Sequence, residues 1–311
     1  MRSRIVVLVN DQSGAVASAR GRALVAEQLA SVVPDASIRW SDAQSTMDQL
    51  IRQAMEEAPS LLVAGGGDGT INAVAAAIVG TAIVLGVLPL GTLNHFAKDV
   101  GIPPELPAAV ALLRTGVVTR VDVGVINERI FLNNAGLGLY PEIVRLRERE
   151  QRHGIAKWPA ALVATLLVLY RCRQLGLRLH LAGTTLRRRT SALFVGNNTY
   201  SNDDSMEPHR TTLSAGTLSV VIPRARRPLA LLAHTLRALV GSVRESRDFE
   251  TLNVKQFTIE STQQALHVSI DGEVTSLTTP LHCCIRPGAL HVLVPADAAQ
   301  PCWDGHSADG G

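Results

Sequence analysis

Apolar runs and amphipathic stretches alternate along the first 125 or so residues. Short β-branched runs at 5–9, 37–40, 60–64 and 83–88 predict strands, and helical periodicity at 17–33, 43–57, 70–79 and 105–113 predicts the helices between them. Strands that are apolar at nearly every position, each followed by a helix, are the mark of parallel strands covered on both faces by crossover helices. From about residue 117 the pattern changes to extended segments with apolar and polar positions alternating, at 120–126, 129–133, 177–182, 191–195, 217–222, 255–260 and 265–270. That alternation predicts antiparallel sheet. Two helical stretches interrupt it, 141–152 running on to 157–171, and 228–243. The expected fold is therefore α/β: a doubly wound, Rossmann-like nucleotide-binding domain over 1–125 and a β-rich antiparallel sandwich over 126–287. The tail 298–311 is rich in Ala, Asp and Gly and is expected to be disordered, and no internal repeat is present.

Composition narrows the class. With 311 residues and 46% apolar content the chain can bury a core in two domains. A net charge of +3 is too mild to argue for nucleic acid, and 4% aromatic content leaves few platforms for stacking bases, so nucleic-acid binding is not expected. The cations cluster at Arg145, Arg147, Arg149 and Arg152, at Arg187, Arg188 and Arg189, and at Arg224, Arg226 and Arg227. Such clusters suit an anionic lipid surface, or are solvated arginines on helix faces and turns. The apolar stretch 158–170 has 13 residues, short of the roughly 18 to 20 that span a bilayer; it reads as a buried core helix, with a helix resting on a membrane as the alternative. The apolar run at 5–9 is too short for a signal-peptide core, and a cytoplasmic location is expected. Cys172, Cys283, Cys284 and Cys302 show neither a disulfide framework nor zinc spacing, and Cys283 and Cys284 should point to opposite faces of a strand.

The most informative segment is 61–72, where a short strand runs through Gly65, Gly66, Gly67, Asp68 and Gly69 into a helix near Thr70. Glycines let backbone N–H groups approach an anion closely, and a helix start adds unpaired donors, so this is a phosphate cradle. Asp68 beside phosphates makes sense with Mg²⁺ between them; the alternative is a plain helix cap. Both this loop and 10–14 lie at strand carboxyl ends, where such sheets bind ligands. The segment 88–97 follows a strand and offers Gly91, Thr92 and Asn94, neutral groups suited to phosphate or sugar oxygens. The segment 131–138 reads as a strand followed by a flexible turn. Asp271-Gly272-Glu273 follows the strand 265–270, where two carboxylates flank a glycine in a tight bend that could be only a turn.

Taken in order, 10–14, 65–72, Gly91 to Asn94 with Phe96, Ala97 and 101–103, then 133–138 and Asp271-Gly272-Glu273 resemble the diacylglycerol kinase catalytic family, which includes bacterial diacylglycerol and related lipid kinases and sphingosine and ceramide kinases. The resemblance spans nearly the whole chain. It implies an ATP-binding first domain to which a segment at 288–297 returns, and a lipid-substrate second domain. It further implies that Asp271 is the general base for a lipid hydroxyl, and that Glu273 and Asp68 help hold Mg²⁺ on the nucleotide. ATP contacts are expected from Asn10, Ser13, Gly14, Ser41, the loop Gly65 to Thr70, Gly91, Thr92 and Asn94. The chain departs from the family pattern in lacking a proline after Asn10, in Ala15 where lysine is frequent, in His95 where aspartate is frequent, and in Ala215, which puts a second, structural Mg²⁺ site in doubt.

The expected activity is thus transfer of the γ-phosphate of ATP to a hydroxyl of a lipid such as diacylglycerol, by an enzyme peripheral to the inner face of the membrane. Two other readings stand beside it. An NAD kinase-like enzyme shares the Gly-Gly-Asp-Gly loop, and a non-catalytic nucleotide- or lipid-binding regulator would accommodate Ala15, His95 and Ala215. No G-x-x-x-x-G-K-[ST] loop, H-E-x-x-H helix or G-x-S-x-G elbow occurs. The sequence leaves the acceptor lipid open, and the oligomeric state too, a homodimer among the options.

Overall fold

The computed structural model describes residues 4–14, 16–42, 44–139, 141, 174–199, 210, 212–223 and 249–298. The helices expected at 141–152, 157–171 and 228–243, apart from residue 141, and all but the first residue of the 298–311 tail lie outside the described residues. Two compact units are present, one formed by Met1–Val121 with Gly288–Gly311 and the other by Asp122–Pro287.

In the first unit, β1 (Ile5–Asn10), α1 (Ala19–Val32), β2 (Ser37–Ser41), α2 (Met47–Glu56), β3 (Leu61–Gly66), α3 (Asp68–Ile78) and β4 (Val84–Pro89) follow one another, then α4 (His95–Asp99) and α5 (Leu106–Thr115). The strands lie parallel in the order β2-β1-β3-β4. Every residue of β3 is buried, as a strand covered on both faces requires. Local chemistry sets the helix starts: Ser18 accepts from the Gly21 N–H to open α1, and Thr46 and Gln49 form a reciprocal capping box that opens α2 four residues later than periodicity alone suggests. The returning segment belongs to this unit, with His291 and Val292 beside Val84 and Leu85 of β4.

The second unit takes in the end of β5 (Val117–Ile126), then β6 (Arg129–Phe131), β7 (Asn134–Gly138), β8 (Leu175–Leu181), β9 (Thr184–Thr190), β10 (Ala192–Asn197), β11 (Leu218–Pro223), β12 (Phe249–Val254), β13 (Gln256–Ser261), β14 (Ala265–Ile270), β15 (Glu273–Thr278) and the start of β16 (Leu281–Val294). Six strands form one antiparallel sheet in the order β12-β11-β10-β7-β14-β15. A second layer runs from β16 through β13 and β8 to β9. A single apolar cluster draws Leu137, Val195, Val220 and Val268 from the first layer and Leu177, Leu179, Ile259 and Leu281 from the second, which is the core of a sandwich. Cys283 is buried while Cys284 is half-buried, as alternation requires, and burial pushes the Cys283 thiol well above its ordinary value.

Three expectations change here. The segment 131–138 is no strand-then-turn: β6 ends at Phe131, two residues break the ladder, and Asn134–Gly138 pairs with both β10 and β14. Arg187, Arg188 and Arg189 are on neither a helix face nor a turn but in β9, whose charged residues hid its alternation. Helix α3 opens at Asp68 rather than near Thr70. Among the described residues no helix is long and apolar enough to cross a membrane.

Gly138 shows how tightly β7 is fitted. Its φ is +80°, and a Cβ there would stand 2.2 Å from the Ser191 carbonyl oxygen. Gly138→Ala is expected to cost more than about 2 kcal/mol, read as a lower denaturation midpoint at unchanged m-value.

Candidate active site

The loops that end β1, β2 and β3 are tied to one another by side chains. Asn10 donates from Nδ2 to Thr70 Oγ1 at 3.1 Å, while its Oδ1 accepts from the Gln12 N–H at 3.0 Å and from Ser41 Oγ at 3.4 Å. Ser41 Oγ also accepts from the Asp11 N–H at 3.3 Å. The Ser13 N–H donates to the Asn10 carbonyl, and the exposed Gly14 follows it. Asp11, which sequence reasoning passed over, is buried and paired with Arg22 at 2.9 Å, so it anchors this loop to α1. Asn10, Ser13, Gly14, Ser41 and Thr70 thus come together, but Asn10 and Ser41 spend their polar atoms on holding the loops.

The glycine loop meets the 91–94 loop backbone to backbone. A Cβ on Gly91 would lie 2.4 Å from Gly67 Cα, one on Gly66 2.5 Å from Thr70 Oγ1, and one on Gly65 3.2 Å from the Val9 side chain. The Leu90 N–H donates to the Gly66 carbonyl at 3.0 Å. Asn94, in the left-handed region at φ +51°, turns its amide onto its own loop: Nδ2 donates to the Gly91 carbonyl at 2.9 Å and Oδ1 accepts from the Gly91 N–H at 3.1 Å. Asn94 therefore shapes this loop. Thr92 is exposed.

Asp68 is the first residue of α3, and its Oδ1 accepts from the Phe96 N–H at 3.2 Å, capping α4. Both ideas about Asp68 thus meet in one residue, since one oxygen caps a helix and Oδ2 has no donor among the described residues. The N-cap of α3 is Gly67, which offers no side-chain cap, so the N–H groups of the first turn at Asp68, Gly69 and Thr70 remain donors directed out of the helix start. That is the chemistry an anionic phosphate chain requires.

The second unit carries the other candidates. Asp271 and Gly272 are the two central residues of the β14–β15 hairpin, with φ of +46° and +90°, the signs a type I′ turn demands. The Asp271 carboxylate is wrapped by three consecutive backbone donors: Leu132 N–H gives to Oδ2 at 2.7 Å, and Asn133 and Asn134 N–H give to Oδ1 at 2.8 and 2.9 Å. Asp271 N–H in turn donates to the Asn134 carbonyl at 2.9 Å. The two-residue break between β6 and β7 exists to turn these three N–H groups onto one anion. Glu273 begins β15 and is exposed.

Behind this cradle lies a buried polar cluster that sequence reasoning missed. The Leu132 carbonyl accepts from Asn197 Nδ2 at 2.9 Å and from Arg210 Nη1 at 2.5 Å. Arg210 Nη2 reaches Asn133 Oδ1 at 3.2 Å, and Asn197 Nδ2 also donates to the Asp122 carbonyl at 2.8 Å. The Leu132–Asn133 peptide therefore stands between a guanidinium on its carbonyl and a carboxylate on its N–H, an arrangement in which each bond polarises the next. The Asn197-Asn198 and Asn133-Asn134 runs are visible in the sequence as polar residues, yet nothing in their spacing marks which are buried. Asp122, also buried, accepts from the Gly216 N–H at 2.7 Å and so fastens the turn that carries Ala215. Ala15 lies outside the described residues, and His95 is exposed on α4.

Known proteins resemble this chain over most of its length. The profile of the diacylglycerol kinase catalytic domain matches residues 4–126, and that of the YegS C-terminal NAD kinase beta sandwich-like domain matches 144–294. A protein of Pseudomonas putida described as a "probable lipid kinase YegS-like" is 31% identical over 268 residues, covering 85% of this chain and 86% of that protein. An uncharacterized protein of Synechocystis sp. is 26% identical over 84% of this chain and 62% of its own length. The solved structure of a diacylglycerol kinase from Bacillus anthracis str. Sterne superposes with a TM-score of 0.69 over 96% of this chain and 98% of that one, at 20% identity, which is a likeness of fold. Two domains of matching kind in the same order, with the glycine loop in the first and the Asp-Gly hairpin in the second, make this chain a member of the YegS-like lipid kinase family built on the diacylglycerol kinase catalytic domain.

Proposed function

We propose that this protein transfers the γ-phosphate of ATP to a hydroxyl of a membrane lipid such as diacylglycerol, with Mg²⁺, while bound peripherally at a membrane surface. The observation that carries the reading is the Asp271 carboxylate held by the N–H groups of Leu132, Asn133 and Asn134. Phosphoryl transfer asks little covalent chemistry of a protein; it asks for positioning, charge neutralisation and an oriented acceptor for the hydroxyl proton. Asp271 supplies the last of these, and fixing both of its oxygens removes the rotational freedom that would otherwise blur the attack geometry. Glu273, two residues on, is the proposed second carboxylate.

In the first unit the proposed phosphate donors are the N–H groups of Asp68, Gly69 and Thr70, with the Thr92 hydroxyl at the neighbouring loop. The free Oδ2 of Asp68 suits Mg²⁺, which when bound would neutralise phosphate charge. Glu273 is the other proposed carboxylate ligand, and phosphate oxygens and water would complete the oxygen shell that Mg²⁺ favours. The exposed position of Thr92 and the caged one of Asn94 divide the 91–94 loop between ligand and scaffold. The NAD kinase-like alternative draws support from the Gly-Gly-Asp-Gly loop and the sandwich-like second domain, and the matched lipid kinase family accounts for both.

Two measurements test the proposal. Gly91→Ala would push the 91–94 loop off Gly67, and KM for ATP is expected to rise about tenfold or more with a smaller fall in kcat. For Asp271→Asn, labelled γ-phosphate transfer from ATP to diacylglycerol in mixed micelles should fall at least about 100-fold while ATP binding stays within roughly twofold. Because an amide nitrogen must then face a backbone N–H, the same variant should lose about 1 to 3 kcal/mol of stability, so transfer is measured well below its melting midpoint. Wild-type transfer rates in folded Asp271→Asn would contradict the assignment. ATP binding by the unaltered protein with no transfer to diacylglycerol, phosphatidylglycerol, ceramide or sphingosine would favour the regulator.

A further inference from the structure

The outward face of the β8–β9 hairpin carries an arrangement that the kinase reading does not use. Antiparallel register sets Arg178 directly opposite Arg187, and Gly176 opposite Arg189. Side chains two apart on a strand share a face, so Arg178, Arg187 and Arg189 stand together on the exposed side while Leu177 and Leu179 point into the core. Arg188, between them, points the other way and is neutralised by Glu250 through two contacts of 2.9 and 2.7 Å, which raise its basicity further. Of the exposed three, Arg178 alone has an acidic partner among the described residues, and it stands directly opposite in the register of β8 with β13. Glu260 on β13 lies 3.9 Å from Arg178 and is shared with His180 Nε2 at 3.1 Å; among the described residues Arg187 and Arg189 have no acidic group within ion-pair distance.

Gly176 gives this cluster its shape. A Cβ built there meets nothing within 4 Å, so the strand is open above that residue, and the opening belongs to a cavity of about 420 Å³ whose lining includes Gly176, Arg178, Arg187, Arg188, Arg189 and Glu260. Like charges directly opposite on a sheet destabilise it; Glu260, on the other side of Arg178, offsets part of the Arg178–Arg187 repulsion, and an anion between the guanidiniums would offset the rest. Guanidiniums present paired N–H donors that match two oxygens of a phosphoryl group. We propose that this notch, ringed by Arg178, Arg187 and Arg189, binds a phosphate-class anion, either free or as a lipid headgroup. The site stands on charge and shape alone, so its failure would leave the kinase assignment untouched, and the reverse. The competing explanation is edge protection: β9 ends its sheet, and charge on an edge strand deters pairing between molecules.

The test uses the full chain and an Arg187→Gln/Arg189→Gln double variant, with Arg178→Lys as a milder change that keeps charge and loses the fork. Binding of inorganic phosphate is followed by calorimetry at constant ionic strength, and flotation is measured with vesicles of phosphatidylcholine alone and with added phosphatidylglycerol. The double variant should keep its melting midpoint and its transfer rate in mixed micelles but lose at least about tenfold in affinity for the probe, with Arg178→Lys in between. Phosphate binding without vesicle binding would assign a soluble anion, and vesicle binding without phosphate binding a headgroup. Equal binding of both probes by unaltered and double-variant protein, no binding of either probe, or aggregation of the variant with unchanged phosphate affinity would overturn the proposal, the last in favour of edge protection.

Discussion

Three peptide N–H groups closing on one carboxylate are the constraint around which the second unit is arranged. To bring Leu132, Asn133 and Asn134 N–H onto Asp271, the chain gives up two ladder positions between β6 and β7 and accepts a left-handed backbone at the aspartate. Those local costs are offset because the donors would otherwise be left without partners and because a charge-assisted bond is stronger than a neutral one. The carbonyl side of the same segment is held as firmly, by Asn197 and Arg210. Register follows from the same point: β7 pairs Leu137 with Val268 and Ala135 with Ile270, which sets the hairpin tip beside the break.

The first unit applies the same physics to a different anion. There the amides and hydroxyls of Asn10, Ser41 and Asn94 hold the loops in shape, and Gly91 lets its loop approach Gly67 until no side chain on residue 91 would fit between them. What is left facing outward is mostly backbone N–H at the start of α3 and one oxygen of Asp68. One unit thus uses main-chain donors on a carboxylate of its own, and the other holds them ready for the charge of a ligand.

Much of this was legible because local chemistry and global fold agree. Continuous apolar runs marked β1, β3 and β4, and a strand ending in glycines before a helix marked the cradle. The strands that escaped notice, β9, β12 and β15, sit at sheet edges, where exposed charged and polar residues replace the apolar half of the alternation. Helix α4 escaped because its cap is supplied by Asp68, twenty-eight residues away in the chain. The Asp271 hairpin was readable as a turn, since Asp-Gly is the usual pair for positive φ. Its partner segment was not, because three N–H groups leave no trace in side-chain identity. Arg210 and Asn197 were hidden for a related reason: a buried polar residue and a solvated one look alike until long-range contacts decide which is which.

In the proposed reaction the carboxylate held by the 132–134 segment receives the proton of the lipid hydroxyl. The most direct measurement is a crystal structure of the protein with a non-hydrolysable ATP analogue, Mg²⁺ and diacylglycerol. The account predicts the acceptor hydroxyl within about 2.6 to 3.2 Å of an Asp271 oxygen, with the three N–H contacts retained. A hydroxyl positioned by another side chain, with Asp271 still closed on its backbone donors and out of hydrogen-bond reach, would contradict it.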